Sequence, residues 1–257
     1  MNAARMLLRL REIEGSRPML NDYRVYSAML GLISRRDAGF SDYLHNLHVK
    51  AMNTALCGSS GKISDVEITS LSRKVSEDLY GCLSDAVAAG EHIWLGNATL
   101  KADAVIPVSP DAPSGNYGFF VLDENIEIRG KFGIEFLSPC VFKNGDASVF
   151  FPDPWLVFNS LLKKWNFFSD NKIQAFNQMT VEQNLYVSGY DLKTTHIPNA
   201  MGEKKSFTGF IGRCGYEINK KAPRDFALAV NMLMRFAPFA GLGKSAAMGM
   251  GRVSVKF

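Results

Sequence analysis

Long apolar runs are missing from this chain of 257 residues. None approaches the roughly 18 consecutive apolar residues that a membrane-spanning helix needs, so no membrane role is expected. The opening Met1-Asn2-Ala3-Ala4-Arg5-Met6 lacks the cation-then-apolar block of a secretory leader. Arg5, Arg9 and Arg11 instead punctuate its short apolar run, as on an amphipathic strand. Cysteine is sparse: Cys57, Cys82, Cys140 and Cys214 stand far apart, with no Cys-x-x-Cys pair. Neither a disulfide framework nor a zinc site is expected, and a reducing cytoplasm is the natural compartment. Metal motifs are absent too. There is no His-Glu-x-x-His and no calcium loop, and the acidic residues are scattered, so no cofactor is expected.

What is present is an ordinary globular composition, 47% hydrophobic and 21% charged, with enough length for one large domain or two small ones. The net charge of +4 is unevenly placed. Residues 193–257 hold 11 Lys and Arg against 3 Asp and Glu, so this end carries +8 and the remainder −4. A basic end of this kind suits a polyanion, although a solvated basic face gives the same count.

The same end holds Phe239-Ala240-Gly241-Leu242-Gly243-Lys244-Ser245, then Gly249-Met250-Gly251-Arg252-Val253. Glycine so dense marks a loop whose backbone comes close to something. A nucleotide P-loop is one reading of Gly243-Lys244-Ser245. It fails because Pro238 stands where the first glycine belongs, a helix-like segment precedes the loop, and no capping helix follows. A plain connection into the last strand is the second reading. A backbone cradle for nucleic-acid phosphates, flanked by Lys244 and Arg252, is the third.

Periodicity gives the order of elements. A strand from Ala4 to Ile13 is followed by a helix over about Tyr23–Ser34, capped by Asn21-Asp22, and by a short helical turn from Phe40 to Leu47. Strands at Val49–Leu56 and Val66–Ile68 flank a Gly58-Ser59-Ser60-Gly61 turn. A helix over Ser72–Ala89 ends at Gly90, and His92 to Ile106 is further strand. Pro107 to Gly118 reads as a linker. The second pass has a strand over Asn125–Leu137, a helix from Pro152 to Trp165, strands at Leu185–Thr195 and Phe207–Ile218, a helix over Pro223–Phe236, and a last strand Arg252–Phe257. Both passes are β-α-β-β-α-β. The expected fold is therefore α+β, two tandem ferredoxin-like domains over residues 1–110 and 119–257, with a cleft between them for a ligand, which the resemblance given next implies is RNA.

The glycine tail resembles the signature of the CRISPR-associated precursor-RNA endoribonucleases, members of the repeat-associated RNA-binding superfamily. So do Phe136-Leu137-Ser138-Pro139, Phe151-Pro152-Asp153-Pro154, Leu161-Leu162-Lys163-Lys164-Trp165-Asn166 and Phe207-Thr208-Gly209-Phe210-Ile211-Gly212. Asp42-Tyr43-Leu44-His45 is similar to the family's segment carrying its catalytic histidine. The resemblance implies cleavage of CRISPR precursor RNA within repeats, by 2′-hydroxyl attack leaving a 2′,3′-cyclic phosphate. A non-catalytic RNA-binding subunit of a CRISPR ribonucleoprotein is the alternative. Repeat RNA is the implied partner, with effector-complex subunits and a second copy of the chain as further ones.

Metal-free RNA cleavage needs an acid or base near neutrality, which a histidine supplies, and a cation to offset charge on the phosphorane. The resemblance implies His45. His48 lies three residues on, and which of the two acts stays open. Lys50 is a candidate for the cation, or an ordinary surface lysine. Tyr26 matches a residue type the family uses beside the histidine, or is a buried helix tyrosine. His92 reads as packing and His196 as a loop residue near RNA. The expected RNA-binding set is Gly241, Gly243, Lys244, Ser245, Gly249, Gly251 and Arg252, with Lys204, Lys205 and Arg213 beside the second hairpin and Arg35 and Arg36 ending the first helix.

Overall fold

A computed structural model describes residues 2–15, 24–108, 120–121, 126–174, 176–198 and 206–257. Lys204, Lys205, the cap at Asn21-Asp22 and most of the expected linker lie outside the described residues. The chain divides into two compact units, one of Met1–Val121 with Ala247–Gly249, the other of Leu122–Ala246 with Met250–Phe257.

The first unit runs β1 (Asn2–Glu14), α1 (Arg24–Ser34), α2 (Ala38–Asn46), β2 (Met52–Ser60), β3 (Ile63–Ser70), α3 (Arg73–Ala88), β4 (His92–Leu95), β5 (Ala98–Pro107) and the short β6 (Phe120–Val121). Its sheet has the order β2-β3-β1-β5-β4, and β6 also pairs with β1. Strand alternation decides its faces. Ala4, Met6, Leu8 and Leu10 of β1 are buried, and so are Val25, Met29, Leu32 and Ile33 of α1 and Val75, Leu79, Leu83 and Ala86 of α3. The intervening arginines form ion pairs: Arg5 with Glu67, Arg9 with Asp65 and Arg11 with Asp103. Asp37 caps α2, accepting from Phe40 N at 2.8 Å, and Ser72 caps α3.

Two expectations change here. Gly58, Ser59 and Ser60 do not turn; they continue β2, and the hairpin closes at Gly61-Lys62, because Ser60 pairs with Ile63. His92 to Ile106 is not one strand but a hairpin, Leu95 pairing with Ala98 across Gly96-Asn97.

The second unit runs β7 (Lys131–Cys140), β8 (Phe142–Asn144), β9 (Ala147–Val149), α4 (Pro154–Phe168), α5 (Gln178–Asn184), β10 (Leu185–Ile197), β11 (Phe207–Ile218), α6 (Arg224–Ala240) and β12 (Val253–Lys256). The β8–β9 hairpin and α5 are additions to the expected pattern. The main sheet has the order β10-β11-β7-β12, antiparallel throughout. Phe132, Ile134 and Phe136 alternate into a core with Phe158, Leu161 and Trp165 of α4 and Val230, Leu233 and Phe236 of α6. Aromatic pairs tie it together, Phe132 on Tyr216 at 5.5 Å and Trp165 edge-on to Phe236 at 5.6 Å. With the sheet orders above, each unit is a ferredoxin-like βαββαβ domain, and the chain is α+β.

Candidate functional site

The first cluster lies at the end of α2. His45 is in the last turn of this helix and exposed to solvent, as is His48 just beyond it. The helix is fixed from below. Ser41 Oγ donates to Leu30 O of α1 at 3.0 Å, and Tyr26 Oη reaches Leu44 O at 3.5 Å. Tyr26 itself is buried, and burial raises its phenol above the usual tyrosine range. The hydroxyl therefore touches the carbonyl next to His45, not solvent, and the residue positions α2. Lys50 folds back so that its ammonium contacts the backbone carbonyl of His45. A cation there meets the carbonyl-rich end of α2, which the helix dipole favours. Tyr26, His45 and Lys50 are thus gathered at one helix end, with Tyr26 buried, Lys50 partly covered and His45 exposed.

The second cluster is the glycine tail. Gly241, Gly243, Gly249 and Gly251 all have positive φ, and so does Ser245 at 63°. Two of them are decisive. A Cβ on Gly243 would sit 2.5 Å from Val141 O, and one on Gly251 would sit 1.8 Å from Leu242 O. The loop closes on its own unit: Leu242 N donates to Gly251 O, Gly251 N to Pro139 O and Lys244 N to Val141 O, all within 2.9 Å. Arg252 N donates to Ser138 Oγ at 2.8 Å. The backbone donors at Gly241, Lys244, Gly251 and Arg252 are spent inside the fold, so those N–H groups do not form an anion cradle. In the first unit, Thr54 Oγ1 donates to Ala247 O at 3.2 Å, and Gly249 lies against Thr54 and Ala55. The Lys244 side chain is exposed.

Three of the other basic candidates are already paired. Arg213 bonds Glu135, and Arg35 and Arg36 both bond Glu91. His196 Nδ1 lies 2.9 Å from Thr208 Oγ1, across the β10–β11 pair. His92 is exposed on β4, which corrects its reading as a packing residue; alternation on an edge strand turns it outward. Among the described residues, no group of three His, Cys, Asp or Glu is placed to hold a metal ion. No helix among them is long and apolar enough to cross a membrane.

One residue beside the tail carried no role in the sequence reading. Lys164 of α4 buries its ammonium against Ala240 O and Gly241 O, at 2.5 and 3.0 Å, closing the carboxyl end of α6. Burial lowers its pKa to about 8, against an opposing pull from Cys140. The Cys140 thiol, pushed up by burial, points at Leu242 O at 3.6 Å. The signal was available: Lys164 lies three residues on from buried Leu161, at helical spacing on the edge of the buried face.

A sequence model of the CRISPR-associated endoribonuclease Cas6 matches residues 134–253, from β7 through the glycine tail into β12. A Cas6 endoribonuclease of Mycobacterium tuberculosis is 28% identical over 221 residues, 84% of this chain and 67% of that protein. The chain is similar to the Cas6 family. Both matches carry the name of a CRISPR-associated endoribonuclease. A Streptococcus thermophilus Cas6 is 24% identical over 127 residues, about half of each chain. The Cas6 fold itself extends over the whole chain. A solved Cas6 product complex superposes with a TM-score of 0.79 at 23% identity, covering 99% of both chains. A Thermus thermophilus Cas6 gives 0.71 at 21%, covering 99% and 98%. The span matched by the Cas6 sequence model contains the tail and Lys164 but not His45.

Proposed function

We propose that the chain processes CRISPR precursor RNA by metal-independent transesterification within each repeat. In this reading the 2′-oxygen attacks the adjacent phosphorus, the 5′-oxygen leaves with a proton, and the products carry a 2′,3′-cyclic phosphate and a 5′-hydroxyl. His45 moves one of the two protons. The observation that carries the assignment is an exposed imidazole on a helix end held by Tyr26 and Ser41, with the Lys50 ammonium at its own carbonyl. Lys50 stays close enough to the same end of α2 to offset charge on the phosphorane. Tyr26, being buried, acts by positioning. Exposed Lys244 and the other basic side chains of the carboxyl-terminal end hold the ribose-phosphate strand, and affinity falls as salt rises. The cytoplasm is the compartment this chemistry occupies.

The test is incubation with repeat RNA in chelator and end-group analysis of the fragments. Cyclic-phosphate ends are expected, with RNA carrying 2′-deoxyribose at the cut site bound but intact. His45→Ala is expected to lose about 10²–10⁴-fold in cleavage rate while still binding, the worth of one acid–base group. Tyr26→Phe keeps most of the rate. Cleavage that stops in EDTA refutes the mechanism, and a His45→Ala protein as fast as its parent moves the role to His48 or elsewhere.

A further inference from the structure

We infer that the face shared by α1 and β4 in the first unit binds an unpaired nucleotide of the RNA, its base stacked on Trp94 and its phosphate against Arg36. The inference rests on the reading above that the ligand is RNA. Trp94 leaves 61% of its surface in solvent, which is costly for the largest apolar side chain and unexplained by the core. It stands on β4, at the edge of the sheet. The Arg35 guanidinium lies over its ring, 5.6 Å from the centroid. Arg35 is itself immobilised, donating to Glu91 Oε2 at 3.0 Å and to His92 O at 2.9 Å. The indole is thus braced on one face by a fixed cation.

Ala28 and Gly31 of α1 are small, and with Ile93 they leave a cleft of about 290 Å³ beside the ring. That is the low end of the range for small-ligand clefts, suited to one planar ring system. Arg35 lines the cleft, and Arg36 shares its carboxylate, so Glu91 offsets one of the two guanidinium charges. Arg36 uses Nη2 on Glu91, and its planar fork has further N–H groups to offer a phosphate. An aromatic platform beside a pair of guanidinium groups is the chemistry that takes a base and its phosphate together.

The test uses repeat RNA with 2′-deoxyribose at the cut site, so that binding is read without cleavage. All three tryptophans emit, but Trp165 is buried and Trp155 half-buried, so contact quenching by a stacked base falls on Trp94, and Trp94→Ala supplies the background. RNA is expected to quench the parent, and the quenching is expected to disappear in Trp94→Ala. The Kd for Trp94→Ala should rise about 5- to 100-fold, the worth of one stacked base, with partial recovery in Trp94→Phe. Arg36→Gln should lower the salt slope of binding by about one. An unchanged Kd for Trp94→Ala, or no quenching of the parent by RNA it binds, overturns the inference and leaves the face to a protein partner. The parent's cleavage of unmodified repeat RNA in chelator is scored separately, so failure of the enzymatic reading and failure of this site give different results.

Discussion

Replacing Gly251 by alanine separates two roles for the glycine tail. Its φ of 61° lies in the left-handed region, where an alanine costs about 1–2 kcal/mol. The added Cβ would also lie 1.8 Å from Leu242 O, and the obstacle is backbone, so no rotamer relieves it. Moving either strand of the loop stretches the bonds from Leu242 N to Gly251 O and from Gly251 N to Pro139 O. Each is worth about 1 kcal/mol when made and up to about 3 kcal/mol when a buried partner is left bare. The sum is of the order of 4 kcal/mol. At a urea m-value of about 2 kcal/mol/M, the unfolding midpoint drops by about 2 M. The assay is urea unfolding of the Gly251→Ala protein followed by circular dichroism, beside RNA affinity under folding conditions. A parent-like midpoint with RNA binding lost would refute the argument, because the glycine would then be making room for ligand and not for Leu242.

Lys164→Met tests the buried lysine at the end of α6. The folded pKa, about 8, is below the unfolded value of 10.5, so between these values the unfolded chain holds a proton the folded one has released, and stability rises with pH. The parent is expected to gain at most ~3 kcal/mol over the variant as pH climbs from 8 to 10, read as diverging urea midpoints; parallel curves would put the ammonium in solvent. Asn231, fully buried in α6, accepts from Arg129 N at 2.9 Å and donates to Arg129 O at 3.1 Å. Asn231→Ala strands both backbone groups, and a loss of about 2–4 kcal/mol is expected in the same unfolding assay; a loss under about 0.5 kcal/mol would show that water replaces the amide.

Much of the fold was legible because its cores are one-sided. On β1 the alternation of Met6, Leu8 and Leu10 with arginines marks a strand with one face buried, and the arginines find carboxylates on β3 and β5. The helices carry their apolar residues at helical spacing for the same reason. The misreadings fall where composition and backbone pairing disagree. Gly58-Ser59-Ser60 looks like a turn, yet a ladder needs only backbone groups, and the two-residue Gly61-Lys62 turn suffices to close the hairpin. The β8–β9 hairpin is too short, at three residues a strand, to show a period at all.

The site was legible as residue types and not as partners, and the glycine tail shows why. A glycine that admits a ligand and one that admits its own backbone satisfy the same demand, positive φ and no Cβ. Only the position of the nearest carbonyl separates them. At Gly243 that carbonyl is Val141 O, and at Gly251 it is Leu242 O. Arg35, Arg36 and Arg213 present the same difficulty for charge, since Glu91 and Glu135 are distant in sequence and adjacent in space. Partly exposed ion pairs of this kind contribute little to stability, and what the pairing fixes is the direction of each guanidinium. For the tail it follows that the glycines set the shape, Lys164 closes the helix that leads into it, and only exposed side chains such as Lys244 are left to meet the RNA of the proposed reaction.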